Sequence, residues 1–131
     1  MAWWRKRAAP MDVASLLVPR GLFRGVDTET TSLLDHDRVL GWLRTLRPGT
    51  DRQVFVHRAW GTVAAVADAR YPDDVSVFLA DTDDTSWTAV APGSPEDLRQ
   101  CHLTSDQVEH IVLDALTSPE RPAWPDWRYL V

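Results

Sequence analysis

Residues Gln53–Val90 read QVFVHRAWGTVAAVADARYPDDVSVFLADTDDTSWTAV, and this stretch decides the fold class. Gln53 to Ala59 carries Val54, Phe55 and Val56, and Thr62 to Asp68, Val75 to Ala80 and Ser86 to Val90 are three further β-prone runs. Trp60-Gly61 marks a turn or bulge, and Tyr71-Pro72-Asp73-Asp74 is turn chemistry. Asp81-Thr82-Asp83-Asp84-Thr85 joins the last two runs as an acidic hairpin tip. Consecutive strands with short links predict an antiparallel meander of three to four strands.

Helical patterns flank the meander. Between Asp35 and Leu46 the residues Val39, Leu40, Leu43 and Leu46 keep helical spacing, and Pro48-Gly49 ends it. The second pattern is sharper: Thr104 serves as N-cap with Gln107 three residues on, and Leu103 is placed to staple against Val108. Val108, Ile111, Val112, Ala115 and Leu116 form one apolar face, and Pro119 stops the helix. Beyond it, Pro122 and Pro125 force an extended tail whose Trp124 and Trp127 must fold back to bury their rings. Met11 to Val18 reads as one or two helical turns before Pro19, and Arg20 to Thr31 as a loop. The expected fold is a single α+β domain over residues 1–131, with N- and C-terminal helices packed on one face of a small antiparallel meander. Residues 1–10 read as a poorly ordered basic extension, with Met11 as an alternative start.

Composition narrows the function classes. A chain of 131 residues with 44% hydrophobic and 25% charged residues builds a core without disulfides, and its single cysteine, Cys101, leaves no pair to form one. The net charge of −5 is unevenly spread, because residues 1–24 carry +4 and residues 25–131 carry −9. An acidic body repels phosphate backbones and attracts basic partners, so direct nucleic-acid binding is disfavoured. No apolar run reaches the length of a membrane span, and the basic start is followed by too short an apolar stretch for a signal peptide, which makes the expected compartment the cytoplasm.

Catalytic constellations are sparse. Asp27-Thr28-Glu29 resembles the first motif of the DEDD 3′–5′ exonucleases, in which two carboxylates on one side of a strand share divalent metals. The preceding Gly21–Val26 is a weak strand, and His102/Asp106 and His110/Asp114 do not match that family's later spacing, so the plainer reading is an acidic loop. The Asp81, Asp83, Asp84 cluster lacks the Gly and Glu of an EF-hand, having Ser86 and Pro92 at those positions. His36, His57, His102 and His110 show no metal-ligand spacing, and neither a Gly-x-Ser-x-Gly elbow nor a phosphate loop is present. Cys101 stands beside His102, but adjacent side chains seldom face one another. The expectation is a protein without catalytic, metal or cofactor sites.

Leu103-Thr104-Ser105-Asp106-Gln107-Val108, the apolar-faced helix after it, and Arg121-Pro122 followed by Trp127 resemble the end of the Imm1-type immunity proteins of bacterial polymorphic toxin systems. The hairpin of Val75 to Gly93, with its acidic tip and Trp87, resembles the family in character, and the likeness covers about residues 35–127. The resemblance implies an antidote that binds a cognate toxin, commonly a nucleic-acid deaminase, and obstructs its active site. A toxin holding nucleic acid presents a basic cleft, to which an acidic body is complementary. The expected contacts are Asp73, Asp74, Asp81, Asp83, Asp84 and Trp87, with Trp60 in addition; the plainer reading of each is a solvated turn or ordinary sheet packing. The alternatives are a nuclease built on Asp27 and Glu29, and a regulatory interaction module.

Overall fold

A computed structural model of the chain describes residues 12–20, 25–46, 51–67, 75–83 and 85–130. They form one seven-stranded antiparallel sheet and two α-helices, so the expected meander of three to four strands is too small. In chain order the elements are β1 (Val13–Pro19), β2 (Val26–Ser32), α1 (His36–Arg44), β3 (Gln53–Arg58), β4 (Gly61–Ala67), β5 (Val75–Asp81), β6 (Ser86–Val90), α2 (Ser105–Thr117) and β7 (Asp126–Tyr129). The strand order across the sheet is β2-β1-β3-β4-β5-β6-β7.

Three additional strands account for the difference. Residues expected as helical turns before Pro19 form β1, which lies between β2 and β3 and is buried from Ala14 to Leu17. A strand covered on both faces reads as a near-continuous apolar run, and Val-Ala-Ser-Leu-Leu-Val has no alternation to reveal it. The expected loop contains β2, whose Val-Asp-Thr-Glu-Thr-Thr-Ser is exposed almost throughout, so no buried face marks it in the sequence. The aromatic tail supplies β7, paired to β6 from Val90/Asp126 to Trp87/Tyr129. The expectations for Met11 and for residues 1–10 lie outside the described residues.

Pairing in register gathers every second side chain into the core. Ala14, Val56, Val63, Leu79 and Trp87 lie directly opposite one another on successive strands, and Leu16, Val54, Ala65 and Val77 make the next row. Both helices cover this face: Val39, Trp42 and Leu43 of α1 and Val108, Ile111, Val112, Ala115 and Leu116 of α2 join the same cluster. Fully burying a side chain such as Ile111 contributes about 1.5–3 kcal/mol. The opposite face carries a smaller cluster of Leu17, Phe55 and Ala64.

Connections follow from this layering. Since β2 and β3 both run antiparallel to β1, the chain crosses from one side of β1 to the other through α1. In α2 the Thr104 hydroxyl accepts the Gln107 N–H at 3.2 Å and the Gln107 side-chain oxygen accepts the Thr104 N–H at 2.9 Å. That capping box occurs where the sequence places it. Arg58 ties the last turn of α2 to the sheet, donating from Nη1 to the Ala115 carbonyl at 2.7 Å and from Nε to Asp12 at 3.2 Å. No helix among the described residues is long and apolar enough to cross a membrane.

Candidate interaction surface

Two turns meet at one end of the sheet because Gly61 pairs with Asp81. Gly61 has φ +146°, and a Cβ added there would fall 2.4 Å from the Ala80 carbonyl oxygen, so the first residue of β4 can approach β5 only as glycine. Trp60 is held in the turn just before it, packed against the helix-side core. The neighbouring β5–β6 turn is organised by Asp81, whose Oδ1 accepts the backbone N–H groups of Asp83 and Thr85, each at 3.0 Å. The turn is closed by the Asp81 N–H donating to the Thr85 carbonyl at 3.0 Å.

The expected contact residues therefore divide. Asp83 is exposed at the tip. The Asp81 carboxylate is committed to its own turn, which makes it a positioning group for Asp83. Trp60 and Trp87 are half-buried, and neither indole N–H has a hydrogen-bond partner among the described residues. Trp87 faces the helix layer, edge-on to Tyr129 at 5.5 Å and 5.9 Å from the Arg121 guanidinium. Asp73, Asp74 and Asp84 lie outside the described residues.

The same end of the sheet exposes two apolar residues that sequence reasoning missed. Leu34, in the turn after β2, is 87% exposed, and Tyr129, at the end of β7, is 58% exposed. A tail recognised as a strand would have placed Trp127 and Tyr129 on one face, which is the signal that was available. Trp127 itself is anchored, its Nε1–H donating to the Pro122 carbonyl at 2.8 Å, and Trp124 meets His110 edge-on at 5.6 Å.

Asp27 and Glu29 do stand on one side of β2, opposite Val18 and Leu16. Both are taken up by arginines. Asp27 pairs with Arg20, whose hydrogen bond holds the Asp27 carboxyl below the usual range, and Glu29 lies 3.6 Å from Arg38 of α1. Among the described residues no group of three or more His, Cys, Asp or Glu side chains converges as metal ligands would.

One polar chain was invisible in the sequence because strand pairing assembles it. Ser15 Oγ lies 3.1 Å from His57 Nε2, and Thr62 Oγ1 lies 3.2 Å from His57 Nδ1. A neutral imidazole satisfies both hydroxyls, donating from one nitrogen and accepting at the other. Burial pushes the His57 pKa down, against Phe55 stacked at 5.8 Å. Ser15 is only 4% exposed and the third member is a hydroxyl, so the chain is built as a neutral structural link. Cys101 Sγ is turned to the carbonyls of Pro95 and Asp97, at 3.2 and 3.4 Å.

No family model, curated protein or solved structure matches this chain.

Proposed function

We propose that the chain is a non-enzymatic binding protein, an immunity protein that occupies the nucleic-acid cleft of a cognate secreted toxin, such as a deaminase, in the cytoplasm. The observation that carries this reading is the end of the sheet where Gly61 and Asp81 pair: it sets Trp60 beside an acidic turn, in a chain whose residues 25–131 hold a net charge of −9. An exposed carboxylate such as Asp83 can take the place of a phosphate, and partly buried aromatic rings beside it are the kind of apolar group that anchors an interface. Within this reading Asp83 contacts the partner, Asp81 shapes the turn, and Trp60 and Trp87 support it from the core side. Asp73, Asp74 and Asp84 add negative charge along the same sequence segments. Leu34 and Tyr129 extend the surface with apolar area.

The partner that this chemistry requires is a basic protein, and the acidic surface steers the encounter. Association is then fast at low salt and slows as salt screens the charges. The test is titration of the purified chain against a toxin domain found encoded next to its gene, with that domain's catalytic residue substituted. A saturable one-to-one complex whose association rate falls with salt supports the reading. Absence of a complex rejects it.

A further inference from the structure

Among the described residues β2 forms one edge of the sheet. It pairs there only with β1, and six of its seven residues are exposed. The register from Val13/Ser32 to Pro19/Val26 runs without a bulge, and β2 contains neither Pro nor Lys. A bulge, Pro and Lys are three of the usual means of blunting an edge; β2 carries instead two helix-side carboxylates, Asp27 and Glu29, which disfavour an uncharged or acidic strand. The other edge, β7, is four residues long, and its Arg128 is lashed to the Ser94 carbonyl at 2.7 Å and to the Pro95 carbonyl.

The direction of the free backbone groups follows from one bond. The Arg20 N–H donates to the Gly25 carbonyl at 3.0 Å, which makes Arg20 and Gly25 a hydrogen-bonded pair. Antiparallel ladders alternate, so Val18/Asp27, Leu16/Glu29 and Ala14/Thr31 are the next bonded pairs. The N–H and C=O groups of Val26, Thr28 and Thr30 are then directed away from β1. Asp27 and Glu29 flank Thr28 on the helix side of the sheet.

Charge favours a basic occupant over pairing of the full strand with a second copy. Pairing the whole of β2 with a second copy sets Glu29 directly opposite Glu29, and shifting the centre to Thr28 sets Asp27 opposite Glu29 twice; like charges in those positions are destabilising. A strand with Lys or Arg two residues apart meets the same positions favourably. The ion pairs with Arg20 and Arg38 sit on half-exposed side chains, where they contribute little and exchange readily.

We infer that β2 is a strand-addition site for an extended, basic protein segment with Lys or Arg at alternate positions, bound through the outward backbone groups of Val26, Thr28 and Thr30. This site lies four strands from the β5–β6 turn and stands independently of the toxin reading.

The probe is a capped peptide Thr-Lys-Val-Lys-Thr-Lys-Val, compared with the same peptide carrying Glu for Lys, followed by amide exchange and chemical shifts. In the free chain the Thr28 and Thr30 amides exchange rapidly while those of Asp27 and Glu29 are protected. The Lys peptide should slow Thr28 and Thr30 saturably, and the Glu peptide should not. Thr28→Pro removes an outward N–H without touching the β1 ladder and should weaken the Lys peptide about fivefold or more. The pair Asp27→Lys and Glu29→Lys should reverse the preference between peptides. Equal binding of both peptides, no saturable change at β2, or no reversal in the double variant overturns the inference.

Discussion

Gly61 lies against Ala80 so closely that a Cβ on Gly61 would stand 2.4 Å from the Ala80 carbonyl oxygen. That approach sets the β3–β4 turn beside the β5–β6 turn. Gly61→Ala must therefore strain a φ of +146° and push the two strands apart, and we expect it to lower stability by about 2–4 kcal/mol. Denaturant unfolding of the two chains measures this. Gly41→Ala, in α1, is the control: a Cβ there meets nothing within 4 Å, so stability should hold or rise by up to about 1 kcal/mol.

Asp81 and Asp83 should separate stability from binding. Asp81→Ala leaves the N–H groups of Asp83 and Thr85 without their acceptor, and should cost about 1–2 kcal/mol in unfolding experiments. Asp83→Lys touches no such bond and should stay within about 0.5 kcal/mol of the parent. With the toxin partner the order reverses in kind: Asp83→Lys should slow association and flatten its salt dependence. Unchanged association kinetics for Asp83→Lys would move the contact elsewhere.

His57 makes stability depend on pH. Its pKa is lowered in the folded chain by burial between Ser15 and Thr62, so below pH about 6.5 the unfolded chain binds a proton that the folded chain resists. The contribution of the neutral imidazole is fully present above the unfolded value and is lost as pH falls through the lower folded value. Thermal unfolding between pH 7.5 and pH 5 should show this decline, since histidine changes charge in about that range, and His57→Gln should flatten it. A decline of the same size in His57→Gln would assign it to other groups.

Thr104→Ala should destabilise the chain by about 1 kcal/mol, since it removes the acceptor for the Gln107 N–H while leaving the helix's buried face intact. Thr104→Ser should retain nearly all of that stability. Chemical denaturation of both variants gives the comparison.

How much could be read beforehand varies by element for physical reasons. In α2 the cap, the apolar face and the stop are all local, and Thr104, Ile111 and Pro119 specify it without reference to the rest of the chain. The strands β3 to β6 announce themselves through β-branched runs between turns. β1 and β2 do not, because the identity of each depends on its neighbours: Leu16 and Leu17 are both buried only once β3 and β2 flank them, and Thr28 and Thr30 look like loop residues until β1 is beside them. Of the proposed contact surface, the charge of Asp83 and the ring of Trp60 were visible in the sequence, while their placement at one end of the sheet was not. The organising role of Asp81, the exposure of Leu34 and Tyr129, and the Ser15–His57–Thr62 chain arise from turn geometry and strand pairing across long separations, which composition does not encode.

The central claim, that this acidic chain neutralises a toxin acting on nucleic acid, is tested most directly by growth. A toxin domain found encoded next to the chain's gene is expressed in a host with this protein or with an empty vector, and colony counts are compared together with damage to the host's nucleic acid. Growth restored and damage suppressed by the parent chain, with protection weakened by Trp60→Ala combined with Asp83→Lys in a variant that remains folded, is the predicted result. Killing that proceeds equally with and without the chain, while the chain is present and folded, would contradict the account.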